Sequence, residues 1–338
     1  NPDLIRSVFY PGGNAVAGTF IRPLPGFGAQ NSWEIEEKTV NVYFQANFEM
    51  GPAQFDAGLR LVRTDQTSSG NTVENIFQPT ERITPVSIDS HYTEYLPSAS
   101  LRYELSDNLI VRAAYSTTLT RPNLPDLAPS ESIRGISEVD GGTGSRGNPE
   151  LKPFTANNFD VGVEWYFEDE AILSLNYFYK DIAGLIDTTT FIESRVFPRQ
   201  ADGVLVEGDI LFTQPENGVS ANIEGFELGF QKPLAANFGM LVNFTYADSA
   251  ADFGGEGDVR SSGLPGLSRT SYNASLYYDD GRFDARVSYA WRENYLAQFS
   301  DDFGVPRFVD DFGQLDLSAN FRISDNLIAQ LQVLNLTN

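Results

Sequence analysis

The side chains able to do chemistry are 46 acidic and 23 basic residues and one histidine, His91; there is no cysteine. A single imidazole cannot make a histidine metal cluster or a histidine relay. Without thiols there is neither a disulfide nor a thiolate site. Acidic pairs stand at Asp301-Asp302 and Asp310-Asp311, with a looser group Asp252, Glu256 and Asp258. Oxygen donors of this kind suit Ca²⁺, but the spacing of a calcium loop is missing, and solvated loop charge is the better reading. The runs Gly141-Gly142-Thr143-Gly144 and Gly254-Gly255-Glu256-Gly257 lack the strand–glycine–helix context of a phosphate cradle. No cofactor is expected. No nucleophile–base constellation is visible, so no enzyme is expected. The net charge of −23 argues against a nucleic-acid face, which must be basic. What remains is recognition by rings and cations. Trp33, Tyr92, Phe191, Phe197, Tyr295 and Phe299 stand near predicted strand ends, where planar rings suit sugars. Arg121 and Arg292 can reach a ligand through hydrogen bonds, and Arg195, Arg199 and Arg260 keep an anionic chelate open. The candidate ligand-binding set is Trp33, Tyr92, Arg121, Arg292 and Tyr295, with no catalytic and no metal-binding residue.

The elements that must carry these residues are read from alternation. Val40, Val42, Phe44, Ala46 and Phe48 alternate with Thr39, Asn41, Tyr43, Gln45 and Asn47. Phe159, Val161, Val163, Trp165 and Phe167 alternate with Asp160, Gly162, Glu164 and Tyr166. Phe283, Ala285, Val287, Tyr289 and Trp291 alternate with Asp284, Arg286, Ser288, Ala290 and Arg292. Period two means strand. About twelve strands are predicted, at 33–48, 53–63, 93–105, 109–119, 156–167, 171–187, 220–231, 238–248, 269–279, 282–296, 312–323 and 327–337. Most reach the roughly 9–11 residues that cross a bilayer at a tilt. Their apolar rows carry almost no charge, as lipid demands.

Short turns alternate with long connections. The turns are Met50-Gly51-Pro52, Ser106-Asp107-Asn108, Glu168-Asp169-Glu170, Lys232 to Asn237, Asp279 to Arg282 and Ser324-Asp325-Asn326. The long connections are 64–92, 120–155, 188–219, 249–268 and 297–311, and 1–32 reads as one more. A bilayer-spanning barrel has short turns on one side and long loops on the other. Phe48, Tyr103, Phe167, Phe230, Tyr278, Phe283 and Phe321 lie beside the short turns and predict an interfacial aromatic girdle. Arg60, Arg102, Glu104, Arg112, Glu164, Lys180, Arg286 and Arg292 then face the lumen. No run of 18 apolar residues exists, so the expectation is an all-β, antiparallel transmembrane β-barrel. The N-terminus, opening Asn1-Pro2-Asp3-Leu4, has no signal-peptide pattern.

Four blocks add a family resemblance. They are Arg121-Pro122-Asn123-Leu124-Pro125-Asp126-Leu127, Gly147-Asn148-Pro149-Glu150-Leu151-Lys152-Pro153, Gly162-Val163-Glu164-Trp165-Tyr166-Phe167 and Phe178-Tyr179-Lys180-Asp181-Ile182. In this order they resemble the TonB-dependent outer-membrane receptors, and the ending Val333-Leu334-Asn335-Leu336-Thr337-Asn338 resembles that family's penultimate strand. The style is similar to the branch from Xanthomonas- and Caulobacter-type bacteria, often tied to glycan uptake. The resemblance implies a barrel of about 22 strands with a plugged lumen. Residues 1–338 are then expected to be the C-terminal portion, about twelve strands, with 1–32 an extracellular loop and with the plug, the first strands and the last strand lying outside it. It further implies a Gram-negative outer-membrane location and outer-membrane lipid, the protein's own plug and the TonB complex as partners. The implied ligand is a glycan or ferric siderophore, taken up actively. Two other readings stay open, a passive porin or sugar channel and a soluble all-β binding module. The polar blocks around Asn148 and Lys152 are expected to fix backbone at the foot of a loop.

Overall fold

The computed structural model describes residues 28–29, 31–74, 82–137, 141–198, 205–235, 237–251, 263–299 and 305–337. Its strands are β1 (Glu34–Met50), β2 (Ala53–Glu74), β3 (Arg82–Ser106), β4 (Leu109–Thr120), β5 (Glu131–Ser137), β6 (Gly141–Arg146), β7 (Phe154–Glu168) and β8 (Ala171–Pro198). They continue as β9 (Leu205–Pro233), β10 (Phe238–Ala251), β11 (Thr270–Asp279), β12 (Phe283–Arg292), β13 (Tyr295–Gln298), β14 (Arg307–Val309), β15 (Phe312–Ser324) and β16 (Leu327–Val333). Among the described residues no helix is long and apolar enough to cross a membrane.

The wall is an antiparallel meander, β1-β2-β3-β4-β7-β8-β9-β10-β11-β12-β15-β16. Among the described residues β1 and β16 each pair on one side only. The six short turns named from the sequence all fall at one end of this wall, and the long connections at the other. One turn shows why it is short. The Asp280 carboxylate accepts from the backbone N–H groups of Arg282, 2.9 Å, and Phe283, 2.7 Å, while Gly281 takes φ +82°. An Asp-Gly pair closes such a turn without steric cost.

Register decides which face each side chain meets, because a slip of one residue would exchange the faces. Phe44 pairs with Leu59, Val111 with Val163, Leu175 with Leu228, and Leu276 with both Met240 and Val287. Apolar row thus meets apolar row across the wall. Yet the row is open: Phe44 is 79% and Leu276 57% exposed. Water would not stabilise such a surface, and hydrocarbon would. Rings mark two levels on it. Near the short turns, Phe48–Phe55 (6.3 Å between centroids), Phe167–Phe230 (6.1 Å) and Tyr278–Phe283 (6.1 Å) form the predicted girdle. Farther up, Tyr115–Phe159 (4.8 Å), Phe226–Tyr246 (5.5 Å) and Tyr272–Trp291 (5.4 Å) form a second. From Phe283 to Trp291 the strand climbs roughly 27 Å, or about 20 Å once tilted, near the height of a bilayer's apolar band.

The opposite face is polar and internally paired. Arg112 grips Glu164 through two hydrogen bonds, 2.7 and 3.2 Å, and the Tyr166 hydroxyl donates to the same carboxylate at 3.1 Å. Ser275 and Ser288 share a 2.8 Å hydrogen bond, and Asn243 donates to Asn273 at 3.1 Å. Arg60, Arg102, Lys180 and Arg286 fall on this face by register, as the alternation predicts.

Two connections expected to be loops are largely sheet, and a third carries a hairpin. β2 runs on to Glu74 and β3 starts at Arg82; β8 and β9 pair as far as Pro198 and Leu205. Past the apolar band both faces of these strands are polar, as in Thr64, Asp65, Gln66, Thr67 and Ser68, so hydropathy alternation stops although the ladder continues. In the 120–155 connection, a 3-10 turn at Leu124–Leu127 is followed by the β5–β6 hairpin. This hairpin pairs in parallel with β2 (Thr72 with Glu131) and with β9 (Gly144 with Phe212). It thereby closes a ring of β2, β3, β4, β7, β8, β9, β6 and β5. The glycine run 141–144 is strand here: a Cβ on Gly144 would overlap the Phe212 ring.

Candidate functional site

The dry interior lies at the far end of the wall, away from the short turns. Ile133, Ile210 and Phe212 form a small core, with Phe191 stacked on Phe212 at 6.0 Å. Leu127, Leu151 and Val73 are buried as well. Over this core sit four charged groups from three strands, β5, β6 and β8. Arg146 Nη1 donates to Glu131 Oε2 at 3.3 Å and to Glu193 Oε2 at 3.2 Å, and its Nε donates to Gln214 at 2.8 Å. Arg195 donates to Glu131 Oε2 at 3.2 Å and to Glu193 Oε1 at 2.5 Å. The guanidinium of Arg146 lies 5.0 Å from the Phe212 centroid and 5.2 Å from that of Phe191. Two guanidinium and two carboxylate groups cancel, so β5 and β6 are fastened to β8 and β9 with no net charge.

Arg195 holds the Glu193 carboxyl below the usual carboxylate range, chiefly through its hydrogen bond; burial pushes the other way and the charges of Arg195 and Arg146 add to the lowering. A carboxyl lowered by folding contributes stability above its unfolded value, about 4.3, and loses it as pH falls through the lower folded value. Acidification below about pH 4 should therefore raise amide deuterium uptake in β6 before that of β11 or β12. Uptake in β6 that stays flat through that range would contradict the fastening.

The loop blocks act on backbone. Asn217 donates to the Lys152 carbonyl at 2.9 Å, accepts from the Lys152 N–H at 2.9 Å and donates to the Gly184 carbonyl at 2.8 Å. Asn148 accepts from Glu150 N–H at 3.0 Å and donates to the Pro215 carbonyl at 3.1 Å. Gln66, on the inner face of β2, donates to the Pro149 carbonyl at 3.1 Å. The block from Asn148 to Lys152 is thus seated on the polar face of the wall.

The five candidate residues fall into three places. Arg121, just past β4, donates to the Tyr92 hydroxyl at 3.1 Å and to Thr39 at 3.4 Å, so Arg121 and Tyr92 are together and Tyr92 is buried. Arg292 lies 4.8 Å above the Tyr295 ring and 5.9 Å from that of Phe312, and donates to the Asp310 carbonyl at 3.3 Å. Trp33, 38% exposed, stands apart from both pairs and lines an open cleft of about 310 Å³. Asp126, Ser130, Glu131, Ser145 and Arg146 line it too, and none of the other four candidates does. Phe191 is engaged in the small core. Arg199, Arg260, Asp252, Glu256, Asp258, Asp301, Asp302 and the Phe197 side chain lie outside the described residues. Among the described residues no group of three or more His, Cys, Asp or Glu is placed to hold a metal.

Glu131, Arg146, Glu193 and Gln214 escaped the reading of the sequence. They are far apart along the chain, and only the spacing Glu193-x-Arg195 hints that one of them shares a face with Arg195.

The family model described as TonB dependent receptor-like, beta-barrel, matches residues 6–336. Among solved structures, the chain is similar to a mutant of the ferric enterobactin receptor PfeA from Pseudomonas aeruginosa, at 17% identity and TM-score 0.60, over 89% of this chain and 48% of that one. It is similar to the ferric-catecholate import receptor Fiu from K12 E. coli, at 17% identity and TM-score 0.63, over 90% of this chain and 41% of that one. The siderophore receptor PirA from Acinetobacter baumannii matches at 17% identity and TM-score 0.61, over 90% of this chain and 51% of that one. The chain spans about half the length of these receptors. A wall apolar outside and polar inside, its short turns gathered at one end, agrees with both comparisons: the chain belongs to the TonB-dependent receptor β-barrel family, whose barrels sit in the outer membrane of Gram-negative bacteria.

Proposed function

We propose that residues 1–338 are the C-terminal portion of the barrel of a receptor that takes up a scarce ligand by TonB-dependent active transport. The observation that carries this is the inner face. It is polar and charge-paired along the span, and at the far end it is crossed by a fastened hairpin rather than left open. A lumen of this kind suits a plug held by many weak polar contacts. Among the described residues β1 and β16 pair on one side only, which leaves two backbone edges that lipid does not tolerate, so further strands would complete the wall. The plug and the TonB complex are the protein partners; the extracellular loop expected at 1–32 lies almost wholly outside the described residues. The ligand is an oligosaccharide or a ferric siderophore. The similarity to ferric enterobactin, ferric-catecholate and siderophore receptors favours the siderophore, and the resemblance to the Xanthomonas- and Caulobacter-type branch favours the sugar.

Ligand contact is assigned to the far-end groups: Arg292 with Tyr295, Arg121 with Tyr92, and Trp33. Arg292→Ala removes a cation that, among the described residues, two rings and a carbonyl hold. It should slow uptake about tenfold while shifting barrel stability by no more than about 0.5 kcal/mol. The experiment is uptake of labelled ligand by cells with and without a working TonB. Loss of uptake without TonB is expected. Equal uptake in both, with steady ion conductance of the full-length protein in planar bilayers, would instead mean a passive channel.

A further inference from the structure

We infer that the edge of β8 from Thr188 to Val196 is a docking site for an extended segment of a partner polypeptide, which adds to it as a further strand. This surface lies beyond the apolar band, and its role is independent of which ligand is taken up.

The edge arises from unequal strand lengths. The β4–β7 ladder stops at Thr120 and Phe154, while β3 and β8, which flank it, run on toward the far end. Among the described residues, β8 beyond Ala183 pairs only with β9, and the part of β3 before Ser98 pairs only with β2. Where β4 and β7 have stopped, β3 and β8 stand three strand spacings apart, about 14 Å, which is room for two more strands. The same situation arises on the opposite flanks, and there the chain itself fills it. β2 and β9 outlast β1 and β10, and the β5–β6 hairpin pairs with both. The notch between β3 and β8 receives no such element among the described residues.

An open ladder recruits strands, and proteins that avoid this place lysine, proline or charge along the edge. β3 is guarded in that way: Pro85 and Pro97 lack a donor, and Asp89, His91 and Glu94 lie between them. β8 is not. From Thr188 to Val196 it reads Thr-Thr-Thr-Phe-Ile-Glu-Ser-Arg-Val, rich in β-branched residues and free of proline and lysine. Its two charges, Glu193 and Arg195, are committed on the inner face to each other and to Arg146 and Glu131. The outer row is open: Ile192 is 67% and Val196 64% exposed, and Leu211 of β9 lies beside Ile192.

The edge selects its occupant. Unpaired N–H and C=O groups at alternate residues are matched by another extended backbone. A second copy of this chain is a poor match. In the same bilayer it stands the same way up, so its own β8 edge would arrive with the inner face turned outward. The outward row of the partner segment is apolar or β-branched, to lie against Ile192 and Val196. Its ends are basic, because Glu207 and Asp209 of β9 stand next to that row and the chain carries a net charge of −23.

The test uses the full-length receptor in detergent and a capped peptide, Lys-Val-Thr-Val-Thr-Val-Thr-Val-Lys. Anisotropy of the labelled peptide reads binding, and residue-resolved hydrogen exchange reads the site. Saturable binding is expected, and the alternate amides from 188 to 196 that face the edge should slow about tenfold or more. N-methylation of alternate residues removes the donors along one side of the peptide. Methylating one alternate set should weaken binding at least about tenfold, and methylating the other should leave it within about twofold. Ile192→Lys combined with Val196→Lys changes two exposed side chains and leaves the small core intact; it too should weaken binding at least about tenfold. Absence of saturable binding, equal effects of the two methylated sets, or binding that the lysine pair does not change overturns the inference. So does full protection of the edge amides in the receptor alone, whether its own chain or a second copy covers them.

Discussion

Val287→Arg is expected to destabilise the inserted barrel by about 2–4 kcal/mol, whereas Ser288→Arg, the next residue along, should change it by about 1 kcal/mol or less. Val287 sits midway between the two ring levels, paired with Leu276 and Leu317, on the row that meets hydrocarbon. An arginine there must stay charged in lipid or drag water to itself. Ser288 points the other way, against Ser275 at 2.8 Å, where a cation meets a polar surface and loses only that hydrogen bond. Both variants keep the strand and its backbone ladder, so the difference isolates the solvent that each face sees. Urea unfolding of the full-length protein from lipid vesicles reads it directly. Equal effects would mean that the two faces are not distinguished by lipid.

Phe212→Ala is the second large effect. Phe212 is fully buried, lies under Gly144, and carries Arg146 and Arg195 on its ring at 5.0 and 5.5 Å. Removing a buried phenyl costs about 3–5 kcal/mol. Here that loss falls on the small core that seats β5 and β6, and not on the lipid-facing wall. Amide protection in β5 and β6 should therefore drop by about a hundredfold or more, while unfolding of the membrane span is unchanged. Loss of the whole barrel would show that the hairpin supports the wall; unchanged protection would show that the core does not hold the hairpin.

The parts of this molecule that lipid dictates are readable from the chain. Phe159, Val161 and Val163 announce their face because the bilayer forbids polar side chains on it, and the short turns announce theirs through Asp-Gly and Asp-Asn pairs. The parts that water permits are less readable. Beyond the apolar band, Thr64 to Asn71 is strand with two polar faces, and alternation in hydropathy has nothing to report. β6 is rich in glycine because Phe212 needs the space at Gly144, yet the same composition describes a loop. The charged quartet is assembled from β5, β6 and β8, and its pairing depends on parallel contacts that no local pattern encodes. The grouping of Arg292 with Tyr295 follows from their nearness in sequence. That of Arg121 with Tyr92 needs β3 and β4 in register.

The central claim is that one row of each long strand touches hydrocarbon while the other stays wet. The chain has no cysteine, so single cysteines from residues 283 to 292 of β12 can carry spin labels one at a time in the full-length receptor in lipid vesicles. The account predicts that oxygen, which dissolves in lipid, relaxes labels at Ala285, Val287 and Tyr289 most, and that a polar nickel chelate prefers Arg286, Ser288 and Ala290. A flat profile for both reagents, or labels at Ala285, Val287 and Tyr289 shielded from both, would contradict it.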